Sequence, residues 1–343
     1  MKKLIFSVVL VVMCVSMFAQ FTPYGSVRAN YWYNITDEDH QKGDRTEMDL
    51  GLQTNSRMGI NWKGDGWNSK VEMGLDRDNR VSVRHAWVKR NYDGWALSFG
   101  QMEDGLNQLV DQTWSADKAL IGYGIVYGNR NPQIRADFGP GLYASLIAPT
   151  RNRMPVGTAN DIDFLIPKIN LGWNGEAGKV ALKPSVIFQM FSYNDDICGR
   201  DDTVTAFLGA LTVDYKDNAF KSRLQASFGL NSGNMGFDGP RNVALWDAAE
   251  EEVSDTSTIS LAAQVGFDLA DDFYLGAGFG FAQSSNDLWD NDDARMGLFL
   301  QAVLTGGGFK FIPEVGLMDE MKDPLDNKEG SLLYFGTQLR FDF

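Results

Sequence analysis

The chain has 343 residues, which is enough for one large domain or two ordinary ones. It carries 45 acidic against 31 basic residues, for a net charge of −14, and this acidic excess argues against a nucleic-acid partner. Hydrophobic residues make up 44% of the sequence, and beyond the N-terminus no run reaches the roughly 18 apolar residues of a membrane-spanning helix. These figures exclude a bundle of membrane helices. They leave room for a membrane barrel, in which only every second residue must face lipid.

The N-terminus has the pattern of an export signal. Two lysines at positions 2 and 3 precede an apolar run from Leu4 to Val15, and the small residue Ala19 follows. Such a run is too short to span a bilayer and is typical of a cleaved signal peptide. We therefore predict a signal peptide over residues 1–20 and a single transmembrane barrel domain over residues 21–343.

The rest of the chain alternates with a period of two. From Gly25 to Tyr33, glycine and apolar residues take the odd positions, whereas the even positions are mostly polar. A strand sends successive side chains to opposite faces, so each such segment has one apolar and one polar face. The same pattern recurs at Lys221–Leu230, Ser260–Leu269 and Tyr334–Phe343.

Short turns and long polar stretches also alternate along the chain. Seven short turns would join fourteen strands into hairpins, and the first and last strands bring the number to about 16. Aromatic residues such as Trp67, Trp95 and Trp173 flank these turns, as in the girdle where lipid meets water. The sequence therefore predicts an all-β fold, a transmembrane antiparallel β-barrel with short periplasmic turns and long extracellular loops. The turns are at Gly64–Gly66, Asn91–Gly94, Gly139–Gly141, Asn174–Gly178, Lys216–Ala219, Ala270–Asp272 and Thr305–Gly308.

About sixteen strands enclose a lumen that side chains cannot fill. The predicted inner face carries many charges, whose burial in a dry core would cost several kcal/mol each, so we expect a water-filled pore. The basic residues expected on the pore wall are Arg28, Arg57, Lys70, Arg84 and Arg135.

One loop, at about residues 103–129, mixes acidic and apolar residues. We expect it to fold into the barrel and to set its acids across a narrowed lumen from the basic wall. The alternative is a surface loop that covers the rim or packs against a neighbouring subunit. The acids expected at the constriction are Glu103, Asp104, Asp111 and Asp117.

Five short blocks in the first hundred residues resemble the general diffusion porins of Gram-negative bacteria. The resemblance implies 16 strands, a homotrimer, a location in the outer membrane among lipid and lipopolysaccharide, and a third extracellular loop that constricts the pore from about Glu103. The last strand, ending at Phe343, is similar to the strand that the barrel-assembly machinery reads in that family. The blocks are Tyr24–Arg28, Asn55–Gly59, Lys70–Leu75, Arg84–Val88 and Leu97–Gln101.

The expected function is that of an outer-membrane porin through which ions and small hydrophilic solutes diffuse passively. We expect a weak preference for cations, no cofactor, no resident metal ion and no enzymatic activity. A substrate-selective channel is an alternative, as is an adhesive barrel that acts through long loops such as Ser232–Thr256. An outer-membrane enzyme is the other class considered, but a histidine-based hydrolase is not favoured, because His40 lies in a charged loop and His85 falls on the apolar phase of its strand. The acidic loops at residues 195–202 and 287–293 are expected to be solvated, with calcium binding as the alternative.

Overall fold

The computed structural model describes residues 20–75, 80–106, 108–150, 162–195 and 200–343. The predicted signal peptide, apart from Gln20, lies outside these residues. In the described part of the chain, no helix is long and apolar enough to cross a membrane.

The described residues form one closed antiparallel sheet of sixteen barrel strands. The first strand closes the barrel, because Ala29 pairs with Leu52 on one side and with Leu339 on the other. Two of the strands are interrupted, at residues 53–56 and at Asn174. The strands are β1 (Gln20–Thr36), β2 (Arg45–Leu52 and Arg57–Gly64), β3 (Trp67–Leu75), β4 (Val81–Asn91), β5 (Trp95–Glu103), β6 (Arg130–Phe138), β7 (Leu142–Ile147), β8 (Ile162–Trp173 and Gly175–Ala177), β9 (Val180–Asp195), β10 (Arg200–Lys216), β11 (Phe220–Leu230), β12 (Thr256–Ala270), β13 (Phe273–Asn286), β14 (Asp293–Gly306), β15 (Phe309–Asp319) and β16 (Ser331–Asp342).

The outer face of the barrel is apolar, as the alternation predicts. Leu50 is 69% exposed, and Met58, Phe99 and Leu339 are also exposed. Large apolar side chains exposed on every second residue around a closed sheet are the mark of a barrel that faces lipid. The prediction of a 16-stranded transmembrane β-barrel is confirmed.

The short turns lie at one end of the barrel, which is the periplasmic end in this fold. Six of the seven predicted turns join neighbouring strands where expected; at the fourth, β8 runs on to Ala177, so that the turn is at Gly178. Gly66 and Gly94 have φ of +69° and +76°, a left-handed conformation that glycine adopts without strain. Trp67, Trp95 and other aromatics beside these turns are exposed on the outer face, where such rings meet the membrane interface.

Two long loops occupy part of the barrel interior. The β5–β6 loop (residues 104–129) contains one left-handed helical turn, Trp114–Asp117, in which Ser115 and Ala116 have φ of +48° and +63°. The β11–β12 loop (residues 231–255) contains a 3-10 turn, Ser232–Met235, and a small hairpin of Leu245–Asp247 with Glu252–Ser254. Apolar residues of both loops pack on inward-facing side chains of the wall.

Candidate pore constriction

The β5–β6 loop follows the inner wall from β8 to β1. The Leu109 carbonyl accepts a hydrogen bond from Arg223 on β11, and the Asp111 amide donates to Gln264 on β12 at 3.0 Å. Further along, Gln112 donates to the Tyr334 hydroxyl on β16 at 2.7 Å. The loop is therefore held by polar side chains from successive strands of the wall.

The tip of the loop is anchored by one buried carboxylate, that of Glu314 on β15. It accepts hydrogen bonds from the Thr113 amide and hydroxyl at 2.7 and 2.9 Å. It also accepts from the Trp114 amide at 3.1 Å and from the Tyr334 hydroxyl at 2.9 Å. Charge-assisted bonds of this kind are among the stronger ones in proteins, so Glu314 fixes the position of the helical turn that follows.

Apolar contacts add to this anchor. Leu120 and Ile125 are buried in a cluster with Trp32, Phe299 and other wall residues. A Cβ atom on Gly280 of β13 would collide with the Tyr123 carbonyl, so a glycine in the wall lets the loop backbone approach closely.

The four acidic residues predicted at the constriction lie in different surroundings. Asp117 contacts Arg28 and accepts a hydrogen bond from Gln338 at 3.0 Å, whereas Asp111 accepts from Tyr274 at 3.2 Å. Both are on the part of the loop that lines open space in the lumen.

The other two acids lie at the start of the loop. Glu103 ends β5 and pairs with Arg130 at 3.0 Å, with its side chain 41% exposed. Asp104 departs from the expectation. Its side chain is fully buried against Lys168, at 3.1 Å, and no part of it reaches the lumen.

Four of the five predicted basic wall residues lie close together. Arg57, Lys70 and Arg84 surround the carboxylate of Glu72, with nitrogen–oxygen distances of 3.9, 3.5 and 2.8 Å. Arg28 lies on β1, the strand that pairs with the part of β2 that begins at Arg57. Arg135 is elsewhere, paired with Asp137 at 2.7 Å and stacked over the Tyr143 ring.

The structure corrects the expectation for His85. The alternation puts it on the outer face, but a β-bulge shifts the register between Glu72 and Met73. A bulge adds one residue and reverses which side chains point inward. The imidazole therefore faces the lumen, 3.3 Å from Arg130 and 3.9 Å from Glu72.

Ion pairs recur around the wall, mostly on the periplasmic side of the β5–β6 loop, and Arg84 lies at the level of the loop, beside the same cavity as Asp117. Five carboxylates are paired there with ten basic side chains, and four of the five are held by two or three cations each. We call this set the basic ring. Its groups are Glu72 with Arg57, Lys70 and Arg84; Asp137 with Lys89 and Arg135; Asp214 with Lys183 and Arg223; Asp268 with Lys221; and Asp342 with Lys310 and Arg340.

Sequence reasoning missed that the β11–β12 loop also enters the barrel. Met235 and Phe237 are buried among Ile187, Leu208 and other wall residues, and the Lys168 ammonium donates to the Met235 carbonyl at 3.2 Å. The signal was present, because this loop mixes apolar residues such as Met235, Phe237 and Trp246 with polar ones, as the β5–β6 loop does. The acidic run at residues 250–252 of this loop remains exposed.

Two cavities lie on either side of the candidate constriction. The outer one, about 990 Å³, is bounded by Arg84, Arg130 and Asp117. The periplasmic one, about 410 Å³, is bounded by Arg57 and Glu72 among others. The side chains between them are charged, so any solute that passes from one cavity to the other meets both signs of charge.

The described residues contain no group of three or more His, Cys, Asp or Glu side chains placed to hold a metal ion. The acidic loop at residues 287–293 is part of that described chain, whereas residues 196–199 of the other acidic loop lie outside it. The contacts of His85 are with Arg130, Glu72 and Glu103.

A closed 16-stranded antiparallel barrel with short turns at one end, an apolar outer face and charged inner walls defines the fold of the outer-membrane porins. Comparison with solved structures agrees. The chain is similar to the outer membrane channel DcaP of Acinetobacter baumannii, with a TM-score of 0.72 at 16% identity over 95% of this chain and 98% of that one. It is also similar to an anion-selective porin from Comamonas acidovorans (TM-score 0.64, 14% identity, 95% and 100% covered) and to the trimer form of OmpT, an outer membrane protein of Vibrio cholerae (0.60, 15%, 95% and 100%). No protein-family model matches the chain, and no curated protein matches its sequence.

Proposed function

We propose that this protein is an outer-membrane porin through which ions and small hydrophilic solutes diffuse down their gradients. The observation that carries the proposal is the pair of cavities inside a lipid-facing barrel, separated by charged side chains. A barrel with a purely structural role could fill its interior with apolar side chains, which avoids the cost of burying ion pairs. The ion pairs of this wall are instead partly exposed, as is expected beside a water-filled lumen. The proposal includes neither a cofactor nor a catalytic step.

We further propose that the β5–β6 loop sets the narrowest point. Asp111 on the loop lines the same cavity as Lys310 and Arg340 of the basic ring, whereas Asp117 is paired directly with the buried Arg28. The Glu314 anchor keeps the loop from moving aside. A field between opposite charges in a narrow, partly desolvated passage orients dipolar solutes and influences ion preference.

We propose that the channel has a weak preference for cations. The outer loops are strongly acidic and draw cations from a distance, whereas the wall at the constriction is basic and reduces that preference. Reversal potentials across a salt gradient in planar bilayers would give the sign, and an anion-favouring value would contradict this part alone.

The proposed partners follow from the surface of the barrel. The exposed apolar belt would contact lipid and, in the outer leaflet, lipopolysaccharide. The C-terminal strand, which ends where the Phe343 amide donates to Gly25 at 3.1 Å, would be read by the barrel-assembly machinery. A homotrimer is proposed from the trimeric form of one structural neighbour, and its channels should open and close in steps of three.

Single-channel recording of the refolded protein tests the pore. We expect discrete conductance steps that small solutes reduce, whereas an adhesive or structural barrel would give none. Replacing Asp111 and Asp117 with asparagine should alter conductance or reversal potential, because it removes the carboxylate charges of the loop. Asp247→Asn, in the small outer hairpin, is a matched control. If the double variant matches the wild type, these acids do not face the narrowest point.

A further inference from the structure

The charge of the barrel is divided along its axis. Four outer loops, at residues 37–44, 231–255, 287–292 and 320–330, together contain seventeen acidic and four basic residues. Most of these acidic side chains are exposed, including Glu250, Glu251 and Glu252. The outer mouth is therefore strongly negative.

The opposite end of the lumen has the opposite sign. The basic ring has ten cations for five carboxylates. Four of the five ring carboxylates are shared by two or three cations: Asp137, for example, lies 2.7 Å from both Lys89 and Arg135. Most ring side chains are partly exposed to the lumen, so their excess charge acts on passing solutes rather than being locked in a dry core.

The two regions lie in series, with the β5–β6 loop between them. A net anion that enters from outside must first cross the acidic mouth, and a net cation must then cross the basic ring. A zwitterion has no net charge and is repelled by neither region. Its ammonium group is attracted to the acidic mouth, and its carboxylate is attracted to the basic ring.

We infer that the channel is electrically polarised along its axis and that its preferred solutes are small zwitterions, such as free amino acids, which travel with the carboxylate towards the periplasm. This inference rests on the proposed pore function and adds to it the class of solute. The same polarity should make the ionic current asymmetric: it should be larger when the loop side is positive, because cations then enter from the acidic end and anions from the basic end.

Tracer exchange in proteoliposomes tests the solute class. Three labelled probes of similar size are compared at neutral pH and 0.1 M salt: serine (zwitterion), glycerate (anion) and 2-amino-1,3-propanediol (cation). We expect serine to exchange about tenfold faster than either ion, in line with the lower end of electrostatic steering effects. If either ion exchanges as fast as serine, the inference is overturned; if none of the three exceeds empty liposomes, the pore proposal itself is overturned.

Charge-removing variants locate the effect in the ring. Lys89, Lys183 and Lys310 each share a carboxylate with an arginine, so their replacement by glutamine lowers the ring charge by three while every carboxylate keeps a partner. We expect the triple variant to lose the current asymmetry and to pass 2-amino-1,3-propanediol faster. Lys179→Gln, in a periplasmic turn with its side chain 56% exposed, is the control and should behave as wild type.

Salt gives an independent reading of the same property. The screening length falls from about 10 Å at 0.1 M to about 3 Å at 1 M salt, so the current asymmetry should disappear at 1 M. A current that is symmetric at 0.1 M, or an asymmetry that persists unchanged in the triple variant, would rule out polarity from the ring.

Discussion

Replacement of Glu314 by glutamine tests whether one carboxylate holds the β5–β6 loop inside the lumen. Glu314 accepts four hydrogen bonds, three of them from Thr113 and Trp114 at the tip of the loop. A glutamine keeps the shape but presents one NH₂ group to these donors, so about two of the four bonds are lost. Each bond to a charged group contributes about 1.5–3 kcal/mol, and the docked loop should therefore be destabilised by about 3–6 kcal/mol.

A shift of this size changes the docking equilibrium by a factor of about 10² to 10⁴, at 1.4 kcal/mol per tenfold change. The loop would be undocked for part of the time, and single channels should show larger and noisier currents.

Trypsin provides a direct assay of docking. Lys118 is the only lysine or arginine between residues 104 and 129, and it is half-buried next to the helical turn. Glu314→Gln should therefore speed cleavage after Lys118 in the intact barrel. Asp268→Asn, a similar change in the wall at a residue paired only with Lys221, is the control. If cleavage and conductance of Glu314→Gln both match this control, the carboxylate is not the anchor.

Three further predictions concern the loops. Lys168→Leu leaves the buried Asp104 without its cationic partner, so it should lower the unfolding free energy by about 3–5 kcal/mol in urea titrations, and adding Asp104→Leu should restore most of the loss. Gly124→Ala places a Cβ atom against the β12 backbone at a φ of +127°, so it should displace the loop and change conductance, whereas Gly43→Ala, where a Cβ meets nothing, should leave conductance unchanged. Burial raises the pKa of Asp37, but hydrogen bonds from Ser331 and His40 outweigh it and hold this pKa below its usual value. The contact between Asp37 and Ser331 therefore stabilises the outer loops at neutral pH, and this stabilisation is lost as the pH falls through the lowered pKa. The protection factor of the Ser331 amide, which is its exchange rate relative to the unfolded chain at the same pH, should fall in acid. Asp37→Asn should lower this factor at neutral pH and make it independent of the titration; equal protection in both proteins would contradict the role of Asp37.

The barrel itself was predictable because it depends on local rules. Alternation fixes which face meets lipid, and turn residues such as Gly66 and Gly94 mark where strands reverse. The number of strands follows from counting these turns. The inward position of His85 was not predictable, because a bulge inserts one residue and no single residue type announces it.

The loop contacts were harder to predict because they join residues far apart in the chain. The residues after Asp104 are a mixture of polar and apolar types, so the local sequence is compatible with an acid that faces the lumen and with one that is buried. Asp104 is buried because Lys168, which is distant in the chain, pairs with it. The entry of the β11–β12 loop depends in the same way on room left by β9 and β10. Composition can indicate that a loop packs somewhere, but the surface that it covers is set by the closed barrel.

The distribution of charge inside the barrel shows how sixteen strands can frame a much narrower passage. In the part filled by the two loops, Asp104 and Lys168 form a fully buried ion pair, and the buried Glu314 is satisfied by hydrogen bonds from the β5–β6 loop. In the remaining part, ion pairs such as Lys183 with Asp214 stay partly exposed, as water beside them makes tight matching unnecessary. We therefore propose that the size limit for solutes is set by how the loops divide the lumen, and releasing the β5–β6 loop should raise that limit without changing the strands.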